Sequence, residues 1–193
     1  MLETTLAPHW VRPAQGQWTY EDYLHLPDDD KRYEMIDGVL YVSNAPNSDH
    51  QFTVTELGAE LRNFAKKNKL GRVLVAPFEV HLDETARPVQ PDILFVKAAR
   101  WPAERVAFFT GAPDLIVEVI SPSSVRTDRV IKFTAYERVG VPEYWLANPH
   151  TRTVEVYTLA QGEYALLGEF ARDELIQSVV LEGINLVTST LFE

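Results

Sequence analysis

Two hydrophobic periods run along this chain, and each marks its own kind of element. Tyr33-Glu34-Met35-Ile36 and Val39-Leu40-Tyr41-Val42 flank Asp37-Gly38. Both positions of a two-residue type I′ turn need positive φ, which Asp-Gly tolerates, so this stretch predicts a β-hairpin. From His50 to Asn68 the apolar residues Val54, Leu57, Leu61 and Phe64 recur at helical spacing. Ser48 or Asp49 is the expected N-cap there, Lys66, Lys67 and Lys69 suit the negative end of the dipole, and Gly71 is the expected stop. Apolar stretches at Val73 to Ala76, Phe78 to Leu82 and Ile93 to Val96 read as strands, and Leu115 to Ile120 reads as a strand buried on both faces. A helix is expected from about Thr127 to Val139, with Ile131, Ala135 and Val139 at intervals of four and Gly140-Val141-Pro142 ending it. Glu143 to Leu146 resumes as a strand, a second hairpin turns at Gln161-Gly162, and the remainder is β or irregular. Near the start, Thr19 and Asp22 form a capping pair for a short helix that ends before Pro27 and the Asp28-Asp29-Asp30 run. The pattern predicts one α+β domain over residues 19–193, preceded by an irregular extension over 1–18.

Composition narrows what such a domain can do. Of 193 residues 46% are hydrophobic and 24% charged, enough apolar surface for a core. There is no cysteine, which removes disulfides, thiolate zinc sites and cysteine nucleophiles together, so any metal must use oxygen or imidazole ligands. No apolar run approaches ~18 residues, and the opening MLETTLAPHW has neither a basic nor an apolar leader region. A soluble cytoplasmic protein with no membrane partner is the expectation. The formal net charge of −10 argues against wholesale wrapping of nucleic acid and leaves room for a local basic groove. Residues 97–138 carry seven basic residues against five acidic, and a second basic run spans Arg62 to Arg72. Arg126, Arg129, Lys66 and Lys67 are thus either a nucleic-acid contact or the solvated ends of two helices.

The anomaly lies in the strands. Glu118 stands in Leu115-Ile116-Val117-Glu118-Val119-Ile120, and Asp92 stands between Pro91 and the apolar run Ile93 to Val96. A lone buried carboxylate costs several kcal/mol unless paired or metal-bound. Edge exposure or pairing with an arginine would account for either acid alone, whereas the two together suggest convergence on one site.

Pro91-Asp92, then 25 residues, then Glu118-Val119-Ile120 resembles the signature of the PD-(D/E)XK nuclease superfamily. Further matches follow in order: Tyr33 to Gly38, Asn47-Ser48-Asp49-His50, Val117 to Ser124, the Asp128, Lys132, Tyr136 series, and Gly140 to Trp145. Together they resemble the Uma-two family of restriction-endonuclease-like bacterial proteins over about residues 19–157. The resemblance implies a mixed sheet flanked by helices and a site for Mg²⁺ or Mn²⁺ that hydrolyses phosphodiester bonds. Asp92 and Glu118 would be direct ligands, joined by the Val119 carbonyl. Glu34 matches the family's early acid and is otherwise an ordinary hairpin residue. His50 is a candidate ligand at a helix N-terminus, or a capping or surface residue. His9, His25, His81 and His150 show no paired spacing.

One departure stands out. Two residues after Glu118, where the motif has lysine, this chain has Ile120. The resemblance suggests that the lysine's role has moved to Lys132, and Asp128, Lys132 and Tyr136, at steps of four, share one helix face. The alternative is an Asp-Lys pair on a solvated helix. Three functions compete: a metal-dependent nuclease, a binder of nucleic acid or protein that has lost turnover, and a glycosidase using two carboxylates. The partners implied are nucleic acid, DNA before RNA, and a second copy of the chain.

Overall fold

A computed structural model describes residues 10–192; His9 and the first half of the expected N-terminal extension lie outside the described residues. In chain order the elements are α1 (Tyr20–Tyr23), β1 (Arg32–Ile36), β2 (Val39–Ser43), α2 (Ser48–Lys67), β3 (Gly71–Val75), β4 (Glu79–His81), β5 (Ile93–Lys97), β6 (Phe108–Thr110) and β7 (Leu115–Val119). A π-helical segment (Thr127–Lys132) then runs into α3 (Phe133–Val139), followed by β8 (Glu143–Asn148), β9 (Thr153–Ala160) and β10 (Glu163–Ala171). Six strands form one mixed sheet in the order β10-β9-β8-β7-β5-β3, in which only β7 and β8 run parallel. The β1–β2 hairpin and the β4–β6 pair are separate small sheets.

Period-two alternation divides the core. Ile93 and Phe95 of β5 and Leu115, Val117 and Val119 of β7 pack with Leu57 and Leu61 of α2 on one face. Leu94, Val96, Ile116 and Ile120 point the other way, to Ala135 and Tyr136 of α3 and to Ile36 of the hairpin. Asp92, immediately before β5, and Glu118 in β7 continue the even-numbered positions, so they share the α3 face. The β5–β7 register pairs Ile93 with Val117, which sets Asp92 across from Glu118.

The hairpin turn takes positive φ at Asp37 (52°) and Gly38 (71°), as the Asp-Gly pair predicts. Gly38 is needed twice over, because a Cβ there would stand 2.7 Å from the Gly16 carbonyl. That contact accompanies hydrogen bonds from the Gly16 and Trp18 amides to the Gly38 carbonyl, which hold the described part of the N-terminal stretch on the hairpin.

Two helix boundaries differ from expectation. The N-cap of α2 is Asn47, whose side chain accepts the His50 amide, and not Ser48 or Asp49. Gly71 is not the helix stop: Lys69 takes the left-handed conformation (φ 56°), and Gly71 already opens β3, where a Cβ would lie 2.1 Å from the Val96 carbonyl. The sheet's close approach, not the helix end, requires that glycine. At the chain's end Glu143 is fully buried and accepts from the Trp145 indole, the Ser178 hydroxyl and the Val179 and Val180 amides, which pins the irregular C-terminal segment to β8.

Candidate active site

Three segments deliver carboxylates to one place: Glu34 from β1, Asp92 from the residue just before β5 and Glu118 from β7. All are at most 4% exposed. Each carboxylate has two differently occupied oxygens. Glu34 Oε1 accepts from the Gln90 amide at 2.7 Å and lies 3.0 Å from Lys132 Nζ. Asp92 Oδ2 accepts from the Val119 amide at 2.9 Å and lies 3.2 Å from His50 Nε2. Glu118 Oε1 accepts from Lys132 Nζ at 3.0 Å and from the Tyr136 hydroxyl at 2.7 Å. The second oxygens, Asp92 Oδ1, Glu34 Oε2 and Glu118 Oε2, face Arg32 at 2.8, 3.5 and 3.9 Å.

Lys132 reaches this cluster from the end of the π-helical segment. Residues four apart share one helix face, and Asp128, Lys132 and Tyr136 are all buried. The solvated-helix alternative therefore fails. Ile120, at the motif's usual lysine position, is buried among apolar side chains of the α3 face and carries no charge there.

Burial and charge oppose each other across the site. Burial pushes Glu118 up, and the neighbouring acids Asp92, Asp128 and Glu34 add to the push; despite the Lys132 ammonium its pKa stands at about 8. Asp92 is also pushed up by burial, but the His50 hydrogen bond and the Arg32 charge more than reverse this and hold it well below the usual carboxylate range. Burial would lower Lys132, yet Glu118 and Glu34 raise it above its ordinary value, so it stays protonated.

The cluster forms the floor of a cleft of about 1250 Å³. Ser121 to Ser124 and Thr127 line one side and Asp28 to Asp30 another. Arg126 is exposed in the helical turn that leads into the π-helical segment at Thr127. Arg129 is instead engaged in a two-pronged ion pair with Glu155, Nη1 lying 2.9 Å from Oε2. Lys66 and Lys67 are exposed at the far end of α2, about 24 Å along the helix axis from His50 at a 1.5 Å rise per residue. The four basic residues therefore do not form one groove, because the length of α2 separates the lysines from the cleft.

His50 stands beside Asp92, and its buried Nδ1 has no partner among the described residues. Among the described residues no three His, Asp or Glu side chains are preassembled around a single point for a metal, since Arg32 and Lys132 lie between the acids. Hard oxygens from three carboxylates, one of them directly opposite another across two strands, nevertheless suit a hard divalent cation. Sequence reasoning missed Arg32. Its signal was alternation, since residues 32 and 34 of one strand face the same side.

The family model described as "Putative restriction endonuclease", Uma2, matches residues 20–189. The chain belongs to the Uma2 family. Among solved structures, a putative nuclease belonging to DUF820 from Anabaena variabilis ATCC 29413 superposes with a TM-score of 0.76 at 23% identity, over 90% of this chain and 96% of that one. This Uma2 chain thus has the restriction-endonuclease-like fold anticipated from its motifs. The type IIG restriction endonuclease BpuSI aligns with 58% of it and 11% of that enzyme, at 15% identity and a TM-score of 0.36. No curated protein matches. No described helix of this Uma2 protein is long and apolar enough to cross a membrane.

Proposed function

We propose that the protein is a divalent-metal-dependent nuclease that hydrolyses phosphodiester bonds, with DNA the first substrate to test. The observation that carries this reading is the Lys132 ammonium, 3.0 Å from both Glu118 Oε1 and Glu34 Oε1, with Asp92 facing Glu118 on the adjoining strand. It restores, from another element, the cation that Ile120 does not supply. Asp92 and Glu118 would hold Mg²⁺ or Mn²⁺, with Glu34 and the Val119 carbonyl in support. Once bound, the ion supplies an activated water and offsets negative charge on the phosphate. His50 and the Val119 amide hold Asp92 in its orientation. Lys132 remains charged, so it serves as a fixed positive group for developing oxyanion charge and not as a base. Arg126, exposed and next in sequence to the cleft-lining Thr127, would meet the phosphate backbone.

The test is a time course on supercoiled plasmid and on single-stranded oligonucleotides, with Mg²⁺ or Mn²⁺ and with EDTA. Cleavage that requires the metal is expected. No cleavage of any of these would favour the second reading, a binder without turnover, for which the apolar Ile120 speaks.

Metal affinity should depend on pH through Glu118. Its folded pKa of about 8 lies above the ordinary 4.5, so below pH 8 the metal-free protein holds a proton that the ion must expel. Mn²⁺ affinity should therefore rise by up to roughly tenfold per pH unit between pH 6 and 8, then level off. Calorimetry in two buffers of different ionisation enthalpy measures the released proton. A flat affinity over that range would remove Glu118 as the titrating ligand.

A further inference from the structure

The six oxygens of the three acids divide into two sets. Asp92 Oδ2, Glu34 Oε1 and Glu118 Oε1 are held by groups built into strands and helices: the Val119 and Gln90 amides, His50, Lys132 and Tyr136. The remaining set, Asp92 Oδ1, Glu34 Oε2 and Glu118 Oε2, converges on one side chain, Arg32, and among the described residues these oxygens have no other partner. Nη1 takes Asp92, while Nη2 lies between Glu34 and Glu118.

We infer that the Arg32 guanidinium is a resident counter-ion in the divalent-cation position, and that metal binds by displacing it. This rests on the metal-dependent reading above. Electrostatics requires the exchange, because a doubly charged ion ligated by these three oxygens would meet the guanidinium at close range in a poorly solvated site. Lys132 cannot be the group that leaves, being 1% exposed and enclosed by the acids and the π-helical segment. Arg32 can. Its side chain lines the cleft and is 25% exposed, its buried Nε has no anchoring partner among the described residues, and Asp28 and Asp30 border the same cleft to receive a released cation. The metal-free site is thereby kept close to charge balance, and an ion must outcompete an internal cation before it is held.

The test is Mn²⁺ titration calorimetry on wild type and Arg32→Gln, with circular dichroism to check the fold of each. Arg32→Gln should bind Mn²⁺ roughly tenfold or more tightly, since it carries no charge to displace. Equal or weaker binding by Arg32→Gln overturns the displacement while leaving the metal site in place. Binding by neither protein overturns both readings. Should Arg32→Gln fail to fold, wild-type crystals with and without Mn²⁺ decide: an anomalous peak among Asp92 Oδ1, Glu34 Oε2 and Glu118 Oε2 with Arg32 turned to the mouth is expected. Mn²⁺ bound beside an unmoved Arg32, or bound elsewhere, would overturn the inference.

Discussion

Lys132→Met should lower folding stability by about 3–5 kcal/mol and slow metal-dependent cleavage by roughly a hundredfold or more. The first effect follows from burial. Lys132 is 1% exposed and lies 3.0 Å from both Glu34 and Glu118, so a methionine of similar shape leaves the buried Glu34 charge and the Glu118 carboxyl without their shared donor. Because the lysine's folded pKa lies above its ordinary 10.5, the stability it contributes is fully present below pH 10.5 and is lost only as pH rises through the folded value. The deficit is therefore already visible at pH 7. In the variant Glu118 should bind its proton more firmly still, so the loss should deepen as pH rises above 8, where the wild-type carboxylate is charged beside the ammonium. Urea unfolding measures both. Adding Glu118→Gln to Lys132→Met should cost less than the two single changes summed, because each single change already breaks the hydrogen bond that the pair shares. Strict additivity would mean that the two side chains do not interact. The second effect follows from the lysine's fixed charge, and it is separated from instability by assaying below the variant's unfolding midpoint.

The second large effect belongs to Asp92→Asn. Asparagine keeps an oxygen for the Val119 amide, so the strand geometry should survive, but the charge is gone. Mn²⁺ binding heat should fall below detection and cleavage should drop by roughly a hundred- to a thousandfold. Calorimetry and the plasmid assay with the same sample report both. Unchanged Mn²⁺ affinity would remove Asp92 from the ligand set.

Much of the architecture follows from local chemistry. Asp37-Gly38 suits a turn with two positive φ angles, the 3.6-residue apolar rhythm of Val54, Leu57 and Leu61 makes α2 bury one side, and Gly140 takes the left-handed cap that ends α3. These interactions span few residues, so composition and spacing carry them. The acids Asp92 and Glu118 were legible for a related reason: charge inside an apolar strand conflicts with its surroundings and marks a site. Helix ends were less legible, because Asn47, Ser48 and Asp49 all suit an N-cap and only the chain's path into α2 chooses among them.

The partners of those acids were decided by tertiary structure. Nothing in the order of residues says that a segment beginning at Thr127 takes a π-helical pitch and turns Lys132 inward and not to solvent, or that Lys66 and Lys67 end up a helix length away from the cleft. The apolar rhythm of Ile131, Ala135 and Val139 is compatible with either exposure of the lysine. Arg32 shows the same limit: its alternation with Glu34 was present in the strand, but its role depends on β1, β5 and β7 bringing residues 32, 34, 92 and 118 within one guanidinium's reach. Residue order alone marks which residues carry charge into an apolar core. Only the fold decided which opposite charges would meet them, because that pairing is set by long-range packing, where a shift of one residue in a strand turns every side chain to the other face.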